Sequence, residues 1–131
     1  MAFEIINPDT VHTVRSLAYS HAVRMGDLIF LAGQVAIDRE GNLVGAGDAR
    51  AQTEQIFRNI EAVLKAAGSS LAKVGKMTVL TTSIEYRPII HEVRTRVLEK
   101  IGHFPASTLA VVTSLANPSW LVEIEVVAAV A

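Results

Sequence analysis

Two carboxylates stand two residues apart in an apolar run near the end of this chain, Leu121-Val122-Glu123-Ile124-Glu125-Val126-Val127. Side chains alternate across a strand, so Glu123 and Glu125 share one face while Val122, Ile124 and Val126 share the other. Burial disfavours a charged carboxylate and raises its pKa, which suits a group that moves protons or holds a water near neutral pH. Two accounts of this pair are open: a ligand cleft in which Glu123 handles protons, or a subunit interface where backbone donors satisfy it. Glu125 reads as structural. Metal chemistry finds little support. The stretch His91-Glu92-Val93-Arg94-Thr95 begins like a zinc-binding helix, yet Thr95 stands where a second histidine is needed, and His12, His21 and His103 have no ligand spacing. No metal and no cofactor is expected. His21 and His103 read as surface or strand-end residues. Cysteine is absent, which excludes disulfides, thiolate ligands and cysteine nucleophiles.

These residues need a scaffold, and the pattern supplies one. Ser20 to Met25 and Leu28 to Ala32 read as two strands joined by Gly26-Asp27, an antiparallel hairpin, with Phe3 to Ile6 available to pair at an edge. Turn chemistry follows at Gly41-Asn42 and Gly45-Ala46-Gly47, whose spacing does not fit a dinucleotide-binding fingerprint. Asp48 is placed to cap a helix whose apolar positions Ile56, Phe57, Ile60, Val63, Leu64 and Ala67 recur at helical spacing up to Gly68. Val74 to Ile84 reads as a strand rich in β-branched residues. Pro88 opens a second helix with the stripe Ile89, Ile90, Val93, Val97, Leu98 and Ile101, closed by Gly102. Glu92, Arg94, Arg96, Glu99 and Lys100 fall mostly off that stripe and read as a solvated face. Trp120, after Asn117-Pro118-Ser119, reads as a packing anchor for the last strand. The order predicts one α+β domain over residues 1–131: a mixed six-stranded sheet with two helices on one face.

Composition sets limits on partners. Half of the 131 residues are hydrophobic and 19% are charged, an apolar excess that points to self-association. Twelve Lys and Arg are scattered among thirteen Asp and Glu, for a net charge of -1, so no basic patch recruits nucleic acid. The segment Met1 to Pro8 lacks the basic and apolar regions of a secretory signal, and no apolar run approaches membrane-spanning length. A soluble, cytoplasmic protein that makes no membrane contact is expected.

Several ordered pieces resemble one known family. They are Tyr19-Ser20-His21-Ala22-Val23-Arg24, then Gly26 to Val35 with Ala32-Gly33-Gln34, then Phe104-Pro105-Ala106-Ser107-Thr108, a Pro-containing loop, and the Glu123-Ile124-Glu125 strand. Together they resemble the RidA family, also called the YjgF or liver perchloric-acid-soluble protein family, over nearly the whole chain. The resemblance implies a chorismate mutase-like fold of the RidA type. It also implies a barrel-like homotrimer, with helices outside and cofactor-free clefts between subunits that take a small-molecule ligand. The resembled deaminases hydrolyse reactive enamines and imines to a keto acid and ammonia; other members have been described as ribonucleases.

Residue by residue, Glu123 matches the glutamate to which water positioning and proton transfer are attributed. Tyr19 matches a tyrosine at the cleft, and Gly33 a glycine whose backbone lies against the ligand. Ser107 and Thr108 lie on the cleft strand. One position departs: the family's arginine, which clamps the substrate carboxylate, directly follows Pro-Ala, and here that residue is Ser107. A serine offers one neutral hydrogen bond in place of a planar, charged fork. Either the substrate differs from the usual amino-acid-derived imine, or another arginine substitutes, with Arg24, Arg87, Arg94 and Arg96 available. The expectation is a hydrolase or deaminase acting on a related reactive metabolite. The alternative is a non-catalytic binding or interaction protein of the same fold, and a ribonuclease fits less well.

Overall fold

The computed structural model describes residues 1–131. Six strands form one sheet: β1 (Phe3–Ile6), β2 (Ala22–Met25), β3 (Leu28–Leu31), β4 (Val74–Thr81), β5 (Ala106–Val111) and β6 (Val122–Ala129). Their order is β1-β2-β3-β6-β4-β5. All neighbours are antiparallel except β4 and β5, which are joined through a helix and run parallel, as a crossover connection requires. Gly26 supplies the positive φ, +64°, at the first residue of the β2–β3 turn.

The two helices are α1 (Ala49–Ala66) and α2 (Arg87–Leu98). Asp48 caps α1 by accepting a hydrogen bond from the Ala51 amide at 3.0 Å, and Pro88 stands in the first turn of α2. Ile56, Ile60, Val63 and Leu64 of α1 join Ile90, Val93 and Leu98 of α2 in one core with Met77, Val79, Val122, Ile124 and Val126 of the sheet. Each large aliphatic side chain so buried stabilises the fold by roughly 1.5–3 kcal/mol.

Sequence and structure part at several ends. β4 stops at Thr81 instead of reaching Ile84, because Ser83 turns its hydroxyl onto the Glu85 amide at 3.2 Å and starts a tight helical turn, Ile84–Tyr86. β2 begins at Ala22, since the His21 amide is taken by the Asn7 side chain at 2.8 Å. Gly75 makes a bulge against β6. Without that extra residue Val74 and Lys76 would share a face; with it Val74 is buried under the helices and Lys76 stands on the opposite side.

That opposite face has no helix over it. Phe3, Met25, Leu28 and Ala129 form one cross-strand row, and Ile5, Val23, Phe30 and Val127 form the next. Phe3, Ile5, Met25, Leu28 and Phe30 are all exposed. A contiguous apolar surface of this kind is characteristic of protein contact. No helix is long and apolar enough to cross a membrane.

Candidate functional site

Glu123 sits on the helix-free face of β6, paired with Leu80 of β4. On its other flank the chain leaving β3 returns to the sheet: Gln34 and Ile124 exchange backbone hydrogen bonds of 2.8 and 3.1 Å. This bridge lays Gly33 directly against the Glu123 side chain. A Cβ at Gly33 would fall 2.6 Å from the carboxyl carbon, so any side chain here would displace the Glu123 carboxyl. Burial, reinforced by the Glu125 charge, pushes the Glu123 carboxyl above its ordinary value. Tyr19 is half-exposed nearby, and its hydroxyl is also raised, first by burial and then by the charge of Glu123. The residue before it, Ala18, has a left-handed φ of +63°, a conformation that costs a non-glycine residue about 1–2 kcal/mol.

A buried polar network holds this half of the site together. His21 stands at the strand end, directly before β2, but is only 2% exposed, which corrects the surface half of its reading. Its Nε2–H donates to the His12 carbonyl at 2.7 Å, so Nδ1 carries the lone pair and accepts from Gln34 Nε2 at 3.1 Å. Gln34 also donates to the Ala32 carbonyl at 3.3 Å. The loop bearing Tyr19 is thereby tied to the segment bearing Gly33. His12 packs edge-on to His21 with ring centroids 4.9 Å apart, and burial followed by the His21 ring lowers its pKa. His12 Nδ1 and Gln34 Oε1 are buried without a partner. Positions 12, 21 and 34 share no periodicity, so their meeting has no sequence signal. Two further buried side chains escaped the sequence reading. Gln52 bonds the Gly45, Ser119 and Leu121 backbones, and Asn59 donates to the Val35 and Ile37 carbonyls. Both fix the loops that flank Glu123.

The remaining predicted residues lie elsewhere. Ser107 on β5 pairs with Met77 and faces the helix side, while Thr108 faces the opposite side and accepts from Lys76 Nζ at 2.7 Å. By strand spacing and rise, Ser107 is about 10 Å across the sheet and about 10 Å along it from Glu123. The two also point to opposite faces. One copy of the chain therefore brings Tyr19, Gly33 and Glu123 together and leaves Ser107 and Thr108 apart from them.

Ser107 instead meets Arg94, whose Nη1 donates to its hydroxyl at 2.9 Å. This corrects the reading of Arg94 as part of a solvated face: it is half-buried, and burial, then the charge of Arg87, lowers its pKa. A signal for this was present, since Arg94 lies four residues after Ile90 and four before Leu98, both buried. The other arginines are engaged differently. Arg24 donates to the Gly26 carbonyl at 2.9 Å, and Arg96 pairs with Glu92 at 3.3 Å, beside Arg50 at 3.0 Å. No three His, Asp or Glu side chains converge as a ligand set.

Comparison with known proteins agrees with this architecture. The family model described as endoribonuclease L-PSP matches residues 12–130. A RutC family protein of Pyrococcus abyssi is 36% identical over 110 residues, covering 84% of each chain. A 2-iminobutanoate/2-iminopropanoate deaminase of Dermatophagoides farinae is 29% identical over 97 residues, covering 74% of each. A Rid-family crystal structure from Yersinia pestis superposes with a TM-score of 0.92 at 31% identity, covering 98% of this chain and all of the other. With its fold, its ordered motifs and these relatives in agreement, the chain belongs to the RidA/YjgF family, which includes the RutC proteins.

Proposed function

We propose that this protein is a cofactor-free hydrolase of a reactive imine or enamine, working in clefts between the subunits of a homotrimer. The reaction adds water across a C=N bond and releases ammonia, leaving a carbonyl compound; it needs a positioned water and a group that moves protons. Glu123 is assigned that role, with Tyr19 and the Gly33 backbone lining the ligand. One observation carries the assignment: a partly desolvated carboxyl, raised in pKa, is pressed against a glycine and is close enough for its charge to raise the Tyr19 hydroxyl. The deaminase activity named for the mite relative supports the reaction class.

The trimer is supported by two features. The helix-free face exposes Phe3, Ile5, Leu28 and Phe30, and the Glu123 and Ser107 halves occupy opposite faces, so a shared cleft requires a second copy. RNA cleavage, the activity in the family's descriptive name, gains no support from a net charge of -1 with no basic block. The test is carbonyl release from freshly generated 2-aminoacrylate and 2-iminobutyrate, with the unmodified protein set against Glu123→Ala at equal protein concentration. Acceleration that disappears in Glu123→Ala supports the assignment. Equal acceleration by both proteins removes Glu123 from the chemistry. No acceleration by either, with the imine's product still bound, identifies a binding protein of this fold.

A further inference from the structure

Arg94 of α2 is held by hydrogen bonds yet meets no acid. On that helix Glu92 accepts from both Arg50, at 3.0 Å, and Arg96, at 3.3 Å. Arg94 has no carboxylate partner and meets the Ser107 hydroxyl at 2.9 Å and His91 Nδ1 at 3.4 Å. These orient the guanidinium without neutralising it, and leave most of its five N–H donors free. The group borders a pocket of about 280 Å³ between α2 and the start of β5. Met77, Leu98, Phe104 and Pro105 make its walls apolar, and no Asp or Glu lines it. A partly desolvated cation among apolar walls is stabilised most by an anion that its planar fork can grip in two places.

We infer that Arg94, oriented by Ser107, is the anion seat of this protein, and that it binds the carboxylate of a small molecule with a short apolar body. The volume suits a ligand of a few carbons, and one guanidinium, with His91 as the only other basic side chain lining the pocket, suits a carboxylate. The serine at position 107 then serves to hold an arginine arriving from α2, and the anion lies on the helix side of β5. A substrate bound here carries its carboxylate at a different place from one clamped by an arginine on β5 itself. This catalytic consequence rests on the hydrolase reading; the binding site does not.

The seat is tested by titrating the full-length protein with 2-oxobutyrate, an unreactive product-like carboxylate, and with the uncharged 2-oxobutyramide, by calorimetry and by NMR of the arginine Nε–H signals. Saturable binding of the acid is expected, with the amide weaker by about ten- to a hundredfold and the same loss in Arg94→Gln. Arg94→Lys keeps the charge but not the fork and is expected to recover only part of the affinity, whereas Arg96→Gln binds like the unmodified protein. Equal affinity for acid and amide, unchanged affinity in Arg94→Gln, or no saturable binding of the acid overturns the seat. Should Arg94→Gln fail to fold, the acid–amide comparison on the unmodified protein decides alone. The two proposals fail separately. Arg94-dependent binding without imine turnover keeps the seat and removes the hydrolase. Turnover that needs Glu123 but is indifferent to Arg94→Gln keeps the hydrolase and removes the seat.

Discussion

The Glu123 half and the Arg94 half of this molecule position charge by opposite means. Glu123 is set by backbone: the β6 register, the Gln34–Ile124 bridge and the absence of a side chain at Gly33 leave its carboxyl little freedom. Arg94 reaches its place through a long side chain from a helix and is steadied by one hydroxyl across the gap. A proton-transfer group works only if its pKa and distance are fixed, so it belongs on a central strand. A seat for an anion can move to another element as long as the charge reaches the pocket. The contrast explains how a serine can stand at Ser107 while the carboxylate strand keeps its form.

The largest effect is expected at Glu123. Glu123→Gln keeps the shape and removes the proton-transfer capacity, so imine hydrolysis should fall by about 10²–10⁴-fold. Stability should move the other way. The folded-state pKa of Glu123 is raised above its ordinary 4.5, so the folded protein holds this proton more tightly, and stability falls as pH rises through that window. At neutral pH the ionised carboxylate is a standing penalty that glutamine lacks. A melting temperature at pH 7 that drops in Glu123→Gln would break the comparison, because the carboxylate would then be serving the fold.

Gly33→Ala comes next. The added methyl meets the end of the Glu123 side chain, not backbone, so the fold should survive with the carboxyl displaced. Misplacement on the order of 1 Å can lower turnover about a hundredfold, and a melting curve near that of the unmodified protein would locate the defect in the site. If turnover is retained, the close approach of Gly33 is not what positions Glu123.

The two halves also differed in how readable they were. The Glu123 half announced itself, because strand periodicity places a lone carboxylate pair against an apolar face within seven consecutive residues. Asp48 and Gly68 marked the ends of the first helix for equally local reasons. The network of His12, His21 and Gln34 was invisible, since its members meet only after the β2–β3 hairpin and the loop before it have folded. Arg94 lay between. Helical spacing put it in line with Ile90 and Leu98, yet its charge suggested solvent, and only the position of β5 decided the matter. The break of β4 at Ser83 was likewise a competition between a β-branched run and a hydroxyl able to bond the next turn.

That invisible network yields a prediction of intermediate size, and one that separates the halves by pH. His12 is held neutral by burial and by the His21 ring, with its pKa below the ordinary 6.5, while Asp38 and the Ile37 backbone act weakly in the opposite sense. The unfolded chain therefore binds this proton first, and stability declines as pH falls below about 6.5, with a slope of at most about 1.4 kcal/mol per pH unit for one group. His12→Asn should flatten thermal stability between pH 7 and 5, and the acid-induced loosening should reach the Tyr19 loop before α2. Hydrogen exchange that opens α2 first would contradict this order.

The smallest effect is expected where the charges are already paired. Arg50 and Arg96 share Glu92 on the exposed surface of α1 and α2, in an arrangement that solvent screens almost entirely. Arg96→Gln should leave melting temperature, imine turnover and 2-oxobutyrate affinity within experimental scatter, because Arg50 still holds Glu92 by two hydrogen bonds of 3.2 and 3.0 Å. The double variant Arg50→Gln/Arg96→Gln is the sharper case. It frees Glu92 two residues before Arg94 on the same helix, where the carboxylate points from a different face and remains in water. If affinity for 2-oxobutyrate drops in that variant, the released acid has reached Arg94 and the separation of paired from unpaired arginines along α2 is not fixed by the helix. If it holds, the helix itself keeps the acid away, and Arg94 stays open to a ligand because of where α2 places it.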